Sequence, residues 1–389
     1  MVAVTGAAIT KFNRRKDGSS FRDWSFDAFE EALEISTLNR DDIDLLVIAS
    51  ESDFFTLQLN PASVLAHDLG LREVATMRCE GGGASGQVAV HAGVQAILSF
   101  QAKHVAIVGV DPSASQLSGK AIRSLYGFSF DAWTDGLTGA TSTVLYALSV
   151  QTFMQDQKLT SAQLDQTTIQ NRLNAMGNTK AHLGREHTRS EIEESPLIAS
   201  PYRRLHCSPL SDGAAALILS AQSALPNARK TAPRIVGIGA ANDNPHLGAR
   251  KNSGNFDAKT KSMKKACGMA DLTPKDIKLA EVYDAYAGAQ SQAIFALGLS
   301  EDIGRETARG RFSPSGDMPV NLSGGLMGQG APVGATGVAQ TANCALFLEG
   351  KNTSTLQPSM PPPYALADTH GGVCTNAAVT LLAQPDAAL

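Results

Sequence analysis

The stretch MRCEGGGASGQVAVHAG, residues 77–93, is ordered like a turn that exposes one side chain. An apolar, strand-like run enters three glycines and leaves through Gly-Ala-Ser-Gly into an apolar helix. A sharp strand-to-helix turn of this kind presents a reactive group at a helix N-terminus, where the dipole favours an anion and lowers a thiol's pKa. The seat where that group is expected holds Gly83. The five cysteines, Cys79, Cys207, Cys267, Cys344 and Cys374, are scattered, odd in number and free of any Cys-x-x-Cys pair. That spacing argues against a zinc site and a disulfide scaffold, and all five read as buried free thiols.

The elements that position such a turn follow from composition and pattern. The chain has 389 residues, long enough for two domains or one large pseudo-symmetric body. With 43% apolar and 18% charged residues, ample glycine and 6% aromatics, it reads as an α/β protein with aliphatic packing of helices on sheets. A net charge of -4 argues against a broadly basic nucleic-acid surface. No apolar run approaches membrane-spanning length, and MVAVTGAAITKF reads as a first strand and not as a signal peptide, so a cytoplasmic protein is expected.

Two segments echo each other. LNRDDIDLLVIASES (38–52) and LTPKDIKLAEVYDAY (272–286) each follow an amphipathic helix with a polar turn, pass through Asp-Ile-x-Leu and enter a strand. Downstream, GASGQVAVHAGVQAILSF (83–100) and GATGVAQTANCALFLEG (334–350) both open with Gly-Ala-Ser/Thr-Gly and continue as apolar helices. A strand–turn–helix unit present twice in matching order implies duplication, with mixed sheets between helical layers. Residues 1–111 read as the first part of an N-terminal half, 112–205 as an inserted loop domain, 206–230 as the end of that half and 231–389 as the C-terminal half. A polar, glycine-containing stretch at 241–256 reads as a surface loop.

HCSPLSDGAAALILS (206–220), NLSGGLMGQGAPVGATGVAQ (321–340), EVYDAYAG (281–288) and the EGGGASGQ turn together carry a family likeness. The chain resembles the thiolase superfamily, especially the sterol-carrier-protein-type thiolase-like proteins. The resemblance implies two β-α-β-α-β halves in an α/β/α/β/α layering, with the loop domain inserted in the first half. It also implies a homodimer that binds acyl-CoA.

The departures are as informative as the matches. Where such a thiolase has its nucleophilic cysteine, this chain has Gly83. Where the family has Gly-His-Pro it has Gly330-Ala331-Pro332, and the Asn-Glu-Ala-Phe position reads Tyr283-Asp284-Ala285-Tyr286. The second catalytic cysteine is replaced within Asp368-Thr369-His370-Gly371-Gly372. By position in these motifs, Tyr283, Asp284 and His370 are candidate catalytic residues, and the resemblance adds Tyr364, which in PPPYALADTHGG enters the C-terminal loop that faces the site in thiolases. Gly83, Ala331, Gly371 and Gly372 are the candidate turns facing the thioester oxygen. A phenol donates and accepts protons with an ordinary pKa near ~10, so Tyr283 needs a polarising neighbour to act as a base. Tyr286, His206 and Ser85 read as structural.

Thiolysis needs a covalent carrier for the acyl group. Retro-aldol cleavage of a β-hydroxyacyl-CoA needs none: a base takes the β-hydroxyl proton, the Cα–Cβ bond breaks, and hydrogen-bond donors hold the thioester enolate. The resemblance extends to a branch that removes side-chain fragments from steroid-CoA thioesters together with a small zinc-ribbon and OB-fold partner. The expectation is therefore a CoA-thioester lyase with no metal and no covalently bound cofactor, coenzyme A being part of the substrate, and with no nucleic-acid or membrane partner. The alternatives are a non-catalytic acyl-CoA-binding scaffold and a thiolase-like acyltransferase using a thiol such as Cys79.

Overall fold

Two halves of the chain trace the same path. The computed structural model describes residues 1–14, 18–358 and 360–387. The first half contains β1 (Val2–Ile9), α1 (Phe21–Ser36), β2 (Leu45–Ala49), a short α2 (Asp53–Thr56), α3 (Pro61–Asp68), β3 (Ala75–Cys79), α4 (Ser85–Leu98) and β4 (His104–Pro112). The chain then passes through α5 (Gly119–Tyr126), α6 (Ser142–Gln157), α7 (Ser161–Met176) and α8 (Arg189–Glu194). A hairpin of β5 (Leu197–Ala199) and β6 (Tyr202–Arg203) follows, and β7 (Asp212–Ala221) returns to the first sheet. The second half contains β8 (Arg234–Asn242), α9 (Asp257–Ala270), β9 (Ala280–Glu281), α10 (Ala287–Ala296), α11 (Ile303–Ala308), α12 (Gly325–Gly328), α13 (Val333–Leu348), β10 (Tyr364–Gly371) and β11 (Asn376–Ala383).

The strands lie in the order β3-β2-β4-β7-β1-β8-β11-β10-β9. In the first five, β2 runs parallel to β3 and β4, and β4, β7 and β1 alternate in direction. The last four repeat this from the other side: β8, β11 and β10 alternate, and β9 is parallel to β10. Val320 adds a parallel bridge to Ala280 in the place that β3 takes in the first half. A two-residue antiparallel contact, Val2 with Ile235 and Ala3 with Arg234, joins the halves.

Local chemistry explains the echo. After α1 and after α9 the chain leaves through a left-handed residue, Thr37 or Asp271. A one-turn helix capped by its own aspartate follows in each half: Asp42 Oδ2 accepts from the Asn39 backbone at 2.8 Å, and Asp276 Oδ2 from that of Thr273 at 2.7 Å. Ile43 and Ile277 then anchor the entry to β2 and β9 in the core. The Gly-Ala-x-Gly turns serve a different need. A Cβ on Gly86 would lie 2.7 Å from the Gly337 Cα, so α4 and α13 cross in backbone contact at these two glycines. Gln87 ties the crossing, its Nε2 donating to the Gly337 carbonyl at 3.1 Å and to Thr341 Oγ1 at 2.8 Å.

The layers follow from which faces are apolar. Val90 and Val94 of α4, with Val338 and Phe347 of α13, fill the space between the inner faces of the two half-sheets. Trp24 and Phe29 of α1 and Leu65 of α3 cover the outer face of the first. Met263 of α9 and Ile294 of α10 belong to the cluster on the outer face of the second. The result is the expected α/β/α/β/α arrangement. Among the described residues no helix is long and apolar enough to cross a membrane.

Candidate functional site

Parallel strands that end on one side place their following loops together, and ligands bind in the crevice outside those carboxyl ends. Here Glu51 follows β2, Gly83 lies between β3 and α4, Tyr283 follows β9, and His370 and Gly372 lie at the end of β10. All five line one cavity of about 370 Å³, together with Ala331 and with side chains of α5, α6 and the β5–β7 region.

Tyr283 decides the character of the cavity. A Cβ built on Gly83 would lie 2.5 Å from the Tyr283 hydroxyl oxygen and would also overlap the His370 carbonyl oxygen. The space that a side chain at position 83 would need is therefore filled by the phenol. Gly83 opens no room there for a bulky fragment. Burial, reinforced by Glu51, pushes the Tyr283 phenol well above its ordinary range, so it is neutral. Its ring meets the His370 imidazole edge-on, with centroids 4.7 Å apart. The Tyr146 hydroxyl donates to the Gly372 carbonyl, which leaves its oxygen to accept from His370 Nε2–H at 2.7 Å. Nδ1 is then the acceptor nitrogen, buried and unpaired, and burial holds the imidazole well below its usual pKa and hence neutral.

Opposite lies a carboxyl. Burial and the nearby Asp111 push Glu51 up to about 8, while the Tyr126 phenol beside it works against the rise. Glu51 Oε2 and the Tyr126 hydroxyl are buried without an aligned hydrogen bond. Asp111 fixes this corner: it accepts from Ser50 Oγ at 2.7 Å, from the Glu51 backbone at 2.9 Å, and from the Gly334 N–H at the start of α13 at 2.7 Å. Beneath the cavity the fully buried Lys259–Asp368 ion pair lies next to the Tyr283 backbone, whose N–H is 3.4 Å from Asp368 Oδ2.

Residues 239–384 match the family model described as "Thiolase C-terminal domain-like". The chain is 32% identical to the acetyl-CoA acetyltransferase of Methanothermobacter thermautotrophicus, over 90% of this chain and 91% of that one. The chain belongs to the thiolase superfamily. Among solved structures it is similar to the "Ltp2-ChsH2(DUF35) aldolase" (TM-score 0.83, 21% identity, 99% of this chain and 98% of that one). It is also similar to human mitochondrial 3-ketoacyl-CoA thiolase (TM-score 0.77, 17% identity, 98% of each).

In this thiolase-superfamily chain the candidate residues separate. Tyr283, His370, Gly83, Ala331 and Gly372 are brought together. Tyr364 is not among them. It opens β10, pairs with Ala383 and packs in the outer core of the second half, with the whole strand between it and His370. The resemblance placed it in a loop facing the site, but from Tyr364 onward the chain is strand β10, which draws the residue into the sheet.

Asp284 is also absent from the cavity lining. Its carboxylate accepts from the Leu326 and Met327 N–H groups at 2.6 and 3.3 Å and from Asn171 Nδ2 at 2.7 Å. It therefore caps α12, and burial pushes it up to about 8. The Ala331 and Gly371 N–H groups are taken by Ser211 Oγ at 3.2 Å and Asn376 Oδ1 at 2.8 Å.

Four of the five cysteines are buried as expected; Cys207 is half-buried and lines the cavity. Burial pushes its thiol up to about 12 and that of Cys79 up to about 11. Tyr286, read as structural, lines the cavity too: its hydroxyl is 3.0 Å from Thr143 Oγ1 and its ring stacks on Tyr202. Glu51, Tyr126 and Tyr146 escaped the sequence reading. The available signal was the polar Ser-Glu-Ser that ends the apolar run of β2, a place where strand-end side chains meet ligands.

Proposed function

We propose that this chain is a carbon–carbon lyase that cleaves a β-hydroxyacyl-CoA by a retro-aldol reaction. The products are a ketone or aldehyde and a shorter acyl-CoA. The observation that carries this reading is the Tyr283 hydroxyl in the space of a position-83 side chain. It closes the covalent route at the helix N-terminus and puts a proton-transfer group there instead. The thiol that does face the cavity, Cys207, is held protonated by burial.

The β-hydroxyl proton passes to the Tyr283 oxygen while the phenol's own proton moves to the Glu51 carboxylate. The Cα–Cβ bond breaks, its electrons enter the thioester as an enolate, and a proton returned to Cα completes the balance. With the Ala331 and Gly371 N–H groups committed elsewhere, the turns at Gly83 and Gly372 supply the donors for the enolate oxygen. His370, fixed by Tyr146, positions the phenol.

The apolar lining from Ile122, Phe130, Ile198, Leu210 and Val333 supports a bulky acyl group such as a steroid side chain. The same reading includes a cytoplasmic homodimer and a small zinc-ribbon and OB-fold partner. The exposed edge strand β3 and the exposed Leu59, Trp133 and Leu137 support such contacts.

A second reading, acyl transfer, is favoured by the acetyltransferase name of the relative and by Cys207 in the cavity. One assay separates the two. Incubation with a β-hydroxyacyl-CoA, alone and with a small zinc-ribbon and OB-fold protein of the proposed kind, is expected to release a carbonyl compound and a shorter acyl-CoA in equal amounts. Conversion of acetoacetyl-CoA and CoA to acetyl-CoA without that release would replace the lyase by the acyltransferase.

A further inference from the structure

Glu51, which follows β2, and Tyr126, the last residue of α5, both line the site cavity. Each keeps a buried polar atom without an aligned hydrogen bond: Glu51 Oε2 and the Tyr126 hydroxyl. The two side chains are close enough for the phenol to act on the carboxyl as a hydrogen-bond partner. A buried donor or acceptor left unpaired costs more than a made hydrogen bond gains, so two such atoms side by side call for an explanation.

The rest of Tyr126 is held in place. Its carbonyl accepts from Ser142 Oγ at 3.3 Å and from the Ser129 N–H at 3.2 Å, and its ring meets that of Phe55 with centroids 6.2 Å apart. Ser113 Oγ, also beside the phenol, accepts from the Val333 N–H at 3.3 Å and has its own proton to give to the phenol oxygen. The phenol's proton is then free for Glu51. Among the described residues the other groups facing that carboxyl are Asp111 near the end of β4, Glu80 after β3 and the Tyr283 phenol. Arg78, the cation near Asp111, is paired with Asp53. Asp111 already accepts from Ser50, Glu51 and Gly334, and Glu80 accepts from the Gly82 N–H at 2.8 Å. The two phenols are the donors left for the Glu51 side chain.

We propose that Tyr126 is the positioning residue of the proton-transfer chain: its phenol donates to Glu51 Oε2 and so holds Oε1 toward the Tyr283 hydroxyl. This rests on the retro-aldol reading. A hydrogen bond of this kind favours the ionised carboxyl, so Tyr126 keeps Glu51 able to accept a proton where burial works against it. Ile122, one turn earlier on α5, lines the same cavity, so the helix that walls the acyl group also aligns the base.

The test uses the full chain as wild type, Tyr126→Phe, Glu51→Gln and a protein with 3-fluorotyrosine in place of Tyr126. Infrared difference spectra over a pH titration give the Glu51 carboxyl band as the one that Glu51→Gln removes. Tyr126→Phe is expected to raise its midpoint by about one pH unit and to move the protonated band to higher frequency. The more acidic 3-fluorotyrosine should shift the midpoint the other way, which a packing role would not do; circular dichroism checks the fold. The rise of kcat with pH should follow the midpoint in each protein, with KM for the acyl-CoA unchanged. A midpoint indifferent to both replacements, a shift in Tyr126→Phe alone, a change in KM in place of kcat, or no band lost in Glu51→Gln would overturn the proposal. If β-hydroxyacyl-CoA is not cleaved while the band responds as expected, the reaction reading falls and the Tyr126–Glu51 contact stands. Cleavage with an indifferent band gives the reverse.

Discussion

The Tyr283 hydroxyl oxygen lies 2.5 Å from the point that a Cβ on Gly83 would occupy. A side chain at position 83 is therefore excluded by the Tyr283 phenol and the His370 carbonyl oxygen together. Gly83→Ala is expected to force the phenol and the His370 backbone apart. The loss should be about 1–3 kcal/mol of stability, typical of overpacking, read by denaturant unfolding, together with most of the lyase activity. An unchanged midpoint and rate would show that the phenol does not depend on the empty seat.

Tyr283→Phe keeps the ring and its edge contact with His370 but removes the hydroxyl. The carbonyl release rate should fall by roughly 10²–10⁴, the usual worth of a proton-transfer group, with coenzyme A affinity unchanged. Steady-state rates and a binding titration check both halves of the statement.

The retro-aldol reading assigns the pH response of cleavage to Glu51. Its carboxyl is pushed up to about 8, so at neutral pH most of it carries a proton and cannot accept one. The kcat/KM for cleavage should rise as pH passes through about 8, and Glu51→Gln should give a low rate with that rise removed. A Glu51→Gln profile that kept the rise would assign the titration to another group.

Part of this site was legible in the sequence because the constraints behind it are local. A capping aspartate and a buried isoleucine recur at 42–43 and 276–277, and two glycines recur where α4 meets α13, so the duplicated halves show as repeated words. Tyr283 lies inside one of those words, and Glu51 lies inside its partner at 38–52, where nothing marks it as a site residue. His370, Tyr126 and Tyr146 lie outside them. They reach the cavity from three separate elements, brought together by the sheet order and by helices α5 and α6, and no spacing in the chain encodes their meeting. Tyr364 misled for the converse reason. It is near His370 in sequence, but six residues of extended strand separate them by roughly 20 Å.

Among the described residues five buried carboxyls are held above their ordinary range by burial: Glu51 and Asp284 at about 8, Asp111 and Glu281 at about 7, and Asp368, raised in spite of Lys259 beside it. In the unfolded chain they ionise near ~4, so between pH 4 and 8 the folded state holds more protons. Their contribution to stability is complete below that range and is lost as pH rises through the folded values. The melting temperature should therefore fall between pH 6 and pH 9. Glu281→Gln, which keeps a partner for Ser323, should make the fall shallower. A melting temperature that rises over this interval would contradict the burial of these groups.

The central claim is that the carbon–carbon bond breaks without an acyl group on sulfur. Intact-protein mass spectrometry on samples quenched during turnover of an acyl-labelled β-hydroxyacyl-CoA tests it most directly. The expected spectrum is unmodified protein while labelled short acyl-CoA and the carbonyl compound accumulate together. A labelled acyl adduct on Cys207 or Cys79 that forms and decays at the turnover rate would contradict the account.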